Sequence, residues 1–172
     1  GITSIKKDAK GFLWFGTLNG LNRFDGSKFK VYKHRLNDPT SLSDNFITNI
    51  YDAPGNCFWI RTQLGYAIYD PTTDSFSEDV KKLLPSLDVP GYQIEKILKN
   101  TNGEYYFLRA DHGIIVLNEE SKLIKSYSYI KDDTTSLHGI DISDITLDKN
   151  GDLWIAYLNG WVEKYPYPQD RI

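Results

Sequence analysis

One phrase is written four times in this chain, and that repetition limits the fold more than any other property. The units are ITSIKKDAKGFLWFGTLNGLNRFDG at residues 2–26, ITNIYDAPGNCFWIRTQLGYAIYD at 47–70, IEKILKNTNGEYYFLRADHGIIVLN at 94–118 and ISDITLDKNGDLWIAYLNGWVEKYP at 142–166. The central aromatics are Trp14, Trp59, Phe107 and Trp154, and the turn glycines are Gly20, Gly65, Gly113 and Gly160. Both series advance by 45, 48 and 47 residues, so two independent landmarks agree on one register. Self-similarity at such a period marks a repeat architecture.

Each unit obeys the same local rules. An Ile-x-x-Ile segment alternates as a half-buried strand does. A Gly turn follows, Lys10-Gly11, Pro54-Gly55, Asn102-Gly103 or Asn150-Gly151, at positions where positive φ is tolerated. A nearly all-apolar strand comes next (FLWFG, DLWIA), the pattern of a strand covered on both faces. A second Gly turn leads to a third strand, and FKVYKH at 29–34 or LIKSYSYI at 123–130 supplies a fourth. Helical repeats of this length would instead show three-to-four spacing, without a Gly every eight to ten residues. Four antiparallel strands per unit predict an all-β fold, a β-propeller fragment of about three and a half blades, with blade repeats at 2–46, 47–93, 94–141 and an incomplete 142–172. Propellers close with four to eight blades, so the expectation is about half of a larger ring. The chain opens on GITSI with no Met, as a piece of a longer protein would.

Composition narrows the function classes. Aromatics reach 14%, with 12 Tyr and 4 Trp, and suit a β protein or a stacking surface. The net charge of -3, with basic residues scattered, argues against nucleic acid or an anionic membrane as partner. No run of apolar residues is long enough to span a bilayer. The single Cys57 cannot form an internal disulfide and reads as a small core residue. His34, His112 and His138 have no metal-ligand spacing, so no metal and no cofactor is expected. No nucleophile elbow, P-loop or zinc-protease motif occurs. The carboxylate pairs Glu119-Glu120 and Asp132-Asp133 read as solvated turns. A glycosidase needs two carboxylates across a cleft, and no such pair stands out.

The unit I-x-x-I-x-x-D-x-x-G-x-L-W-x-G-T-x-x-G-L-x-R-F-D resembles the two-component regulator propeller repeat. HRLNDPTSLSDNFI at 34–47 looks like that family's inter-blade link, and KDDTTSLHGIDI at 131–142 echoes it. The second and third units drift: Arg61 and Arg109 stand where the first has Gly16, and Phe107 replaces Trp. The resemblance implies a seven-bladed parent propeller in the periplasmic sensor of a hybrid two-component histidine kinase. Such a sensor binds oligosaccharide, works as a homodimer and passes its signal across the membrane. This segment then binds ligand and packs against the rest of the parent, without catalysis of its own. Two alternatives remain open: a propeller enzyme acting on polysaccharide, such as a lyase or glycosidase, and a protein-interaction scaffold.

In such a blade the turn between second and third strands and the link into the next blade open on one face. Loops on a rigid scaffold concentrate binding residues. A sugar site needs flat aromatics and planar polar groups. The candidates are therefore Arg61, Gln63, Arg109, Asp111, His112, Tyr157 and Asn159 from the turns, with Asp44, Asn45, Tyr92 and His138 from the links. Arg61 and Arg109 share one repeat position and could grip an acidic sugar bidentately; alternatively each caps a blade edge by pairing with a nearby carboxylate such as Asp111. Trp14, Trp59, Phe107 and Trp154 are expected to pack between blades, and Asp8, Asp52 and Asp148 to bond turn backbone.

Overall fold

The computed structural model describes residues 1–79 and 93–167. Among them are fifteen strands and a single 3-10 turn at Pro54–Asn56. The strands form four antiparallel sheets, each ordered as in the chain, and the chain divides into two compact units, Gly1–Leu87 and Asp88–Ile172. The first unit holds β1 (Ile2–Lys7), β2 (Leu13–Thr17), β3 (Gly20–Phe24) and β4 (Phe29–Tyr32) in one sheet. Its second sheet is β5 (Ile47–Asp52), β6 (Phe58–Thr62), β7 (Gly65–Asp70) and β8 (Ser75–Ser77). The second unit holds β9 (Ile94–Lys99), β10 (Tyr105–Arg109), β11 (Gly113–Leu117) and β12 (Leu123–Tyr127), followed by the three-stranded sheet β13 (Ile142–Leu147), β14 (Leu153–Tyr157) and β15 (Val162–Tyr165). This is the blade-by-blade pattern of a β-propeller, three four-stranded sheets and one of three.

Within each unit the first strands of consecutive sheets are stitched together. In the first unit Thr3 Oγ1 donates to the Ile47 carbonyl (2.7 Å), the Ile50 amide donates to Ser4 Oγ (3.2 Å), and Lys6 pairs with Asp52. In the second unit Lys96 pairs with Asp144 at 2.6 Å. Asp52 is therefore an ion-pair partner across the sheets rather than a turn residue. The amide that closes its turn is that of Ala53, donating to the Cys57 carbonyl. Asp8 and Asp148 do hold turns. Asp8 Oδ1 accepts the Lys10 and Phe12 amides (both 2.9 Å) and Oδ2 the Trp14 indole N–H (2.9 Å). Asp148 repeats all three bonds, with Asn150, Asp152 and Trp154. The Asn100 side chain does the same for the Asn102 and Glu104 amides.

The cores explain the aromatic content. In the first unit Trp14 packs on Tyr69 (centroids 4.6 Å apart), Tyr32 and Phe58 (both 5.6 Å). The Arg23 guanidinium lies over the Phe12, Trp14 and Tyr32 rings. The second core gathers Tyr106, Leu108, Ile114, Val116, Ile142, Ile145, Leu153, Ile155 and Tyr157. Gly16 is a close-approach position: a Cβ there would sit 2.8 Å from Ile47 Cγ2. Trp14, Trp59 and Phe107 are buried as expected, but Trp154 is 37% exposed. Its ring carries the Lys164 ammonium, 5.3 Å from the centroid. Strand β14 is thus buried on one face, at Leu153, Ile155 and Tyr157, and open on the other, whereas β6 and β10 are buried at nearly every position.

The fourth strands end earlier than their aromatic patterns suggest, at Tyr32 and Tyr127. The reason is the inter-blade link, which takes over the backbone donors. The Arg35 and Ile130 amides donate to Ser41 Oγ and Ser136 Oγ (both 2.9 Å). Asp38 Oδ1 accepts the Thr40 amide and hydroxyl (3.0 and 2.6 Å), and Asp133 Oδ1 those of Thr135 (2.8 and 2.7 Å). Asn37 and Asp132 adopt the same left-handed backbone (φ 62 and 66), which these two residue types accept readily. Leu42 and Leu137 anchor the link in the core. DPTSL and DTTSL are therefore two copies of one hydrogen-bonded device.

Candidate functional site

The links and the second-to-third turns converge within each sheet. The Gln63 amide donates to Phe46 O (3.1 Å), Ala110 to Gln93 O (2.9 Å) and Leu158 to Asp141 O (2.9 Å). Gly20 N–H also donates to Asn45 O (2.6 Å), tying a turn of the first sheet to the link that enters the second. The rim of each sheet is thus a rigid pairing of a turn with a link, able to present side chains outward.

In the first unit Asn45 is occupied as a staple, its Oδ1 accepting the His34 amide (2.8 Å). Asp44 and Arg61 are half-buried, and Gln63 is exposed. Arg61 lies opposite Asn49 in the sheet, and its carbonyl accepts the Thr48 hydroxyl (3.2 Å). Tyr92 lies outside the described residues. In the second unit Arg109 is half-buried, and its Nη2 donates to the His112 carbonyl at 2.7 Å. Desolvation pulls its pKa below the usual guanidinium range. The exposed Asp111 takes a left-handed backbone, φ 57, and His112 Nδ1 lies 2.5 Å from the Ala110 carbonyl. Arg109 therefore caps the β10–β11 turn through backbone rather than through Asp111. Arg61 and Arg109 stand in different units.

Three candidates are brought together in the fourth sheet: His138, Tyr157 and Asn159. The His138 ring lies 5.5 Å from that of Tyr157, edge to face, and its Nε2 is 3.4 Å from Asn159 Nδ2. Two further residues complete the group. The Trp161 indole stacks on His138, centroids 4.6 Å apart and planes 10° from parallel, and stays 53% exposed. Glu163 Oε2 accepts the Tyr157 hydroxyl, the His138 amide (3.2 Å) and the Tyr165 hydroxyl (3.4 Å). Burial, with the Glu163 carboxylate beside it, drives the Tyr157 phenol well above its ordinary range and that of Tyr165 to about 12. Both phenols therefore remain neutral donors, and the carboxylate, whose accepting oxygen they and the His138 amide share, stays fixed.

Of these side chains, His138, Trp161 and Glu163 line a groove of about 350 Å³ that runs along the DTTSL link, together with Tyr129, Ile130, Asp132 and Asp133. A half-exposed indole locked flat by an imidazole is a platform for the apolar face of a ring. Fixed carboxylates and an amide beside it accept and donate hydrogen bonds to hydroxyls. Trp161 and Glu163 are absent from the sequence-derived candidates. The register shows why: Leu21 pairs with Gly16 in the first sheet, but Val162 pairs with Ala156 in the fourth. Trp161 is thus one extra residue after the turn glycine, carried on the turn instead of in the strand. Among the described residues no group of His, Cys, Asp and Glu is arranged to hold a metal ion.

Histidine kinase P4 of Formosa agariphila is 48% identical over 42 residues, 24% of this chain and 3% of that protein. Two structures of the extracellular domain of the B. thetaiotaomicron system BT4673 superpose with TM-scores of 0.66 and 0.62, at 26% and 28% identity. They cover 99% and 95% of this chain, which spans 24% and 23% of theirs. The first of them is described as belonging to a one component system and the second to a hybrid two component system. Virginiamycin B lyase of Staphylococcus aureus shares the fold alone, with a TM-score of 0.55 at 15% identity. No protein-family model matches the chain. The chain is a run of β-propeller blades similar to part of the extracellular domain of BT4673, and it shares a short, closely matching stretch with a histidine kinase.

Proposed function

We propose that this segment belongs to the periplasmic sensor of a hybrid two-component histidine kinase and binds oligosaccharide, without turnover, in the groove beside Trp161. The observation that carries the reading is the Trp161–His138 stack, an exposed aromatic plane fixed next to the anchored Glu163 carboxylate over a groove large enough for sugar rings. A sugar laid on the indole buries its C–H face while its hydroxyls reach the rim. Ligand contact then biases the arrangement of two sensor chains. Such bias acts only through unequal affinity for two states of the receptor. The likeness to the extracellular domain of BT4673 and to a histidine kinase supports the sensing role.

The test is calorimetric titration of the protein with a panel of oligosaccharides, beside the variants Trp161→Ala and Arg109→Ala. Micromolar binding that Trp161→Ala weakens at least tenfold, about 1.4 kcal/mol, with no product on chromatography, is the expected result. Binding that ignores Trp161 and falls with Arg109→Ala moves the site to the neighbouring sheet. Cleavage of a glycan by the protein refutes the sensing reading in favour of an enzyme.

A further inference from the structure

The same link device underlies two grooves of opposite charge. In the first unit a groove of about 180 Å³ along the DPTSL link is bordered by Lys30, Lys33 and Arg35, with Asp38 and Asp74. In the second unit the groove along the DTTSL link is bordered by Asp132, Asp133 and Glu163, with no lysine or arginine among its lining residues. Two of these three acids are held in place. Asp133 is fixed by both donors of Thr135, which keep its pKa below the ordinary carboxylate range, and Glu163 by Tyr157, Tyr165 and the His138 amide. Asp132 sits on left-handed backbone and is exposed.

We propose that this acidic rim makes the Trp161 groove selective for uncharged glycans and rejects chains bearing uronate or sulfate groups. The inference rests on the oligosaccharide reading above and narrows it. Fixed carboxylates accept hydrogen bonds from sugar hydroxyls, and a uronate or sulfate group puts an acceptor without a proton to donate where the neutral sugar has a hydroxyl. A like charge brought beside them is disfavoured, and the groove offers no guanidinium or ammonium to offset it. Arg109, the cation that the repeat pattern offered for an acidic sugar, spends a donor on the His112 carbonyl.

The test uses matched probes: neutral gluco-oligosaccharides, and the same chains oxidised to uronates at C6, titrated against the intact protein, Trp161→Ala and Asp132→Asn. Asparagine keeps the left-handed conformation of residue 132 while removing its charge. The expected result is Trp161-dependent binding of the neutral chain, at least tenfold tighter than its oxidised form. That gap should narrow about threefold in Asp132→Asn, and also in 1 M salt, where the Debye length is about 3 Å. Trp161-dependent binding of the oxidised chain at equal or greater strength overturns the selectivity and leaves the binding site standing. A gap unchanged by both Asp132→Asn and salt removes the acidic rim as its cause. If neither chain binds, or Trp161→Ala binds both as well as the parent does, the site itself is refuted and the selectivity with it.

Discussion

Asp74 holds the outer end of the first core, and acid should reveal it. Its carboxylate accepts the Tyr32 and Tyr69 hydroxyls (2.6 and 2.8 Å), pairs with Lys30 and lies 3.5 Å from Arg23 Nη1. Partial burial alone would raise its pKa. The bonds from Lys30, Tyr32 and Tyr69 outweigh that and bring it to about 2, from an ordinary 3.8. The folded value lies below the unfolded one, so the contribution is complete above pH 4 and is lost as pH falls from about 4 to 2. At 1.36 kcal/mol per pH unit the shift corresponds to at most about 2.4 kcal/mol. The Asp74 side chain is 36% exposed, so solvent screening reduces this to about 1 kcal/mol.

Asp74→Asn isolates that contribution, because every other titrating carboxylate remains in both proteins. Urea unfolding followed by circular dichroism would be run on the parent and the variant at intervals from pH 7 to pH 2. The variant should be about 1–2 kcal/mol less stable at pH 7, since it keeps an acceptor for the tyrosines but loses the ion pairs. The difference between the two proteins should then shrink by about 1 kcal/mol on approaching pH 2. A difference that stays constant across that range would refute the linkage, and with it the view that Asp74 is charged and paired in the fold. A difference that grows in acid would reverse its sign.

Other substitutions separate tight backbone from loose surface. Gly113→Ala should cost more than 2 kcal/mol in denaturant unfolding, because φ is +73 and a Cβ would lie 2.1 Å from the Tyr127 carbonyl oxygen. Asp8→Ala should cost about 1–3 kcal/mol, since it strands the indole N–H of a fully buried Trp14. The same change at Asp148 should cost less, because the Trp154 ring is open to water; equal losses would mean that the turn bonds alone matter. Trp161→Ala should change stability by no more than about 0.5 kcal/mol, so that any loss of glycan binding is a loss of contact.

Much of the fold was legible because it rests on properties that a string of letters displays. The aromatic and glycine landmarks recur, the second strands are apolar, and turn residues fall between them, so strand order and blade number followed. The outcome at Trp154 was not legible. Whether a tryptophan on an inter-blade face is covered depends on which sheet lies against it, and its own unit reads the same as that of Trp14. Asp52 was misread for a related reason. Its spacing from the turn mimics that of Asp8, yet the register moves the turn-closing amide to Ala53 and turns the carboxylate toward Lys6.

The candidate site was legible in part, and the missing part has a physical cause. His138, Tyr157 and Asn159 could be named because links and turns must meet at one rim of a blade. Aligning the repeats on glycine set Trp161 level with Leu21, a core position, and so hid it. Strand pairing is counted from the strand, not from the turn: Val162, not Trp161, occupies the place opposite Ala156. One inserted residue moves a tryptophan from an interior position to a turn, where its ring meets the imidazole of the preceding link. A repeat fold keeps its hydrogen-bonded pattern while such single insertions alter the rim. Deleting Trp161 outright is the sharpest check, because it restores the spacing of the first unit. The shortened turn should preserve cooperative unfolding, while the groove loses its platform and its glycan affinity together. Retained affinity in the deletion would show that the link alone forms the site.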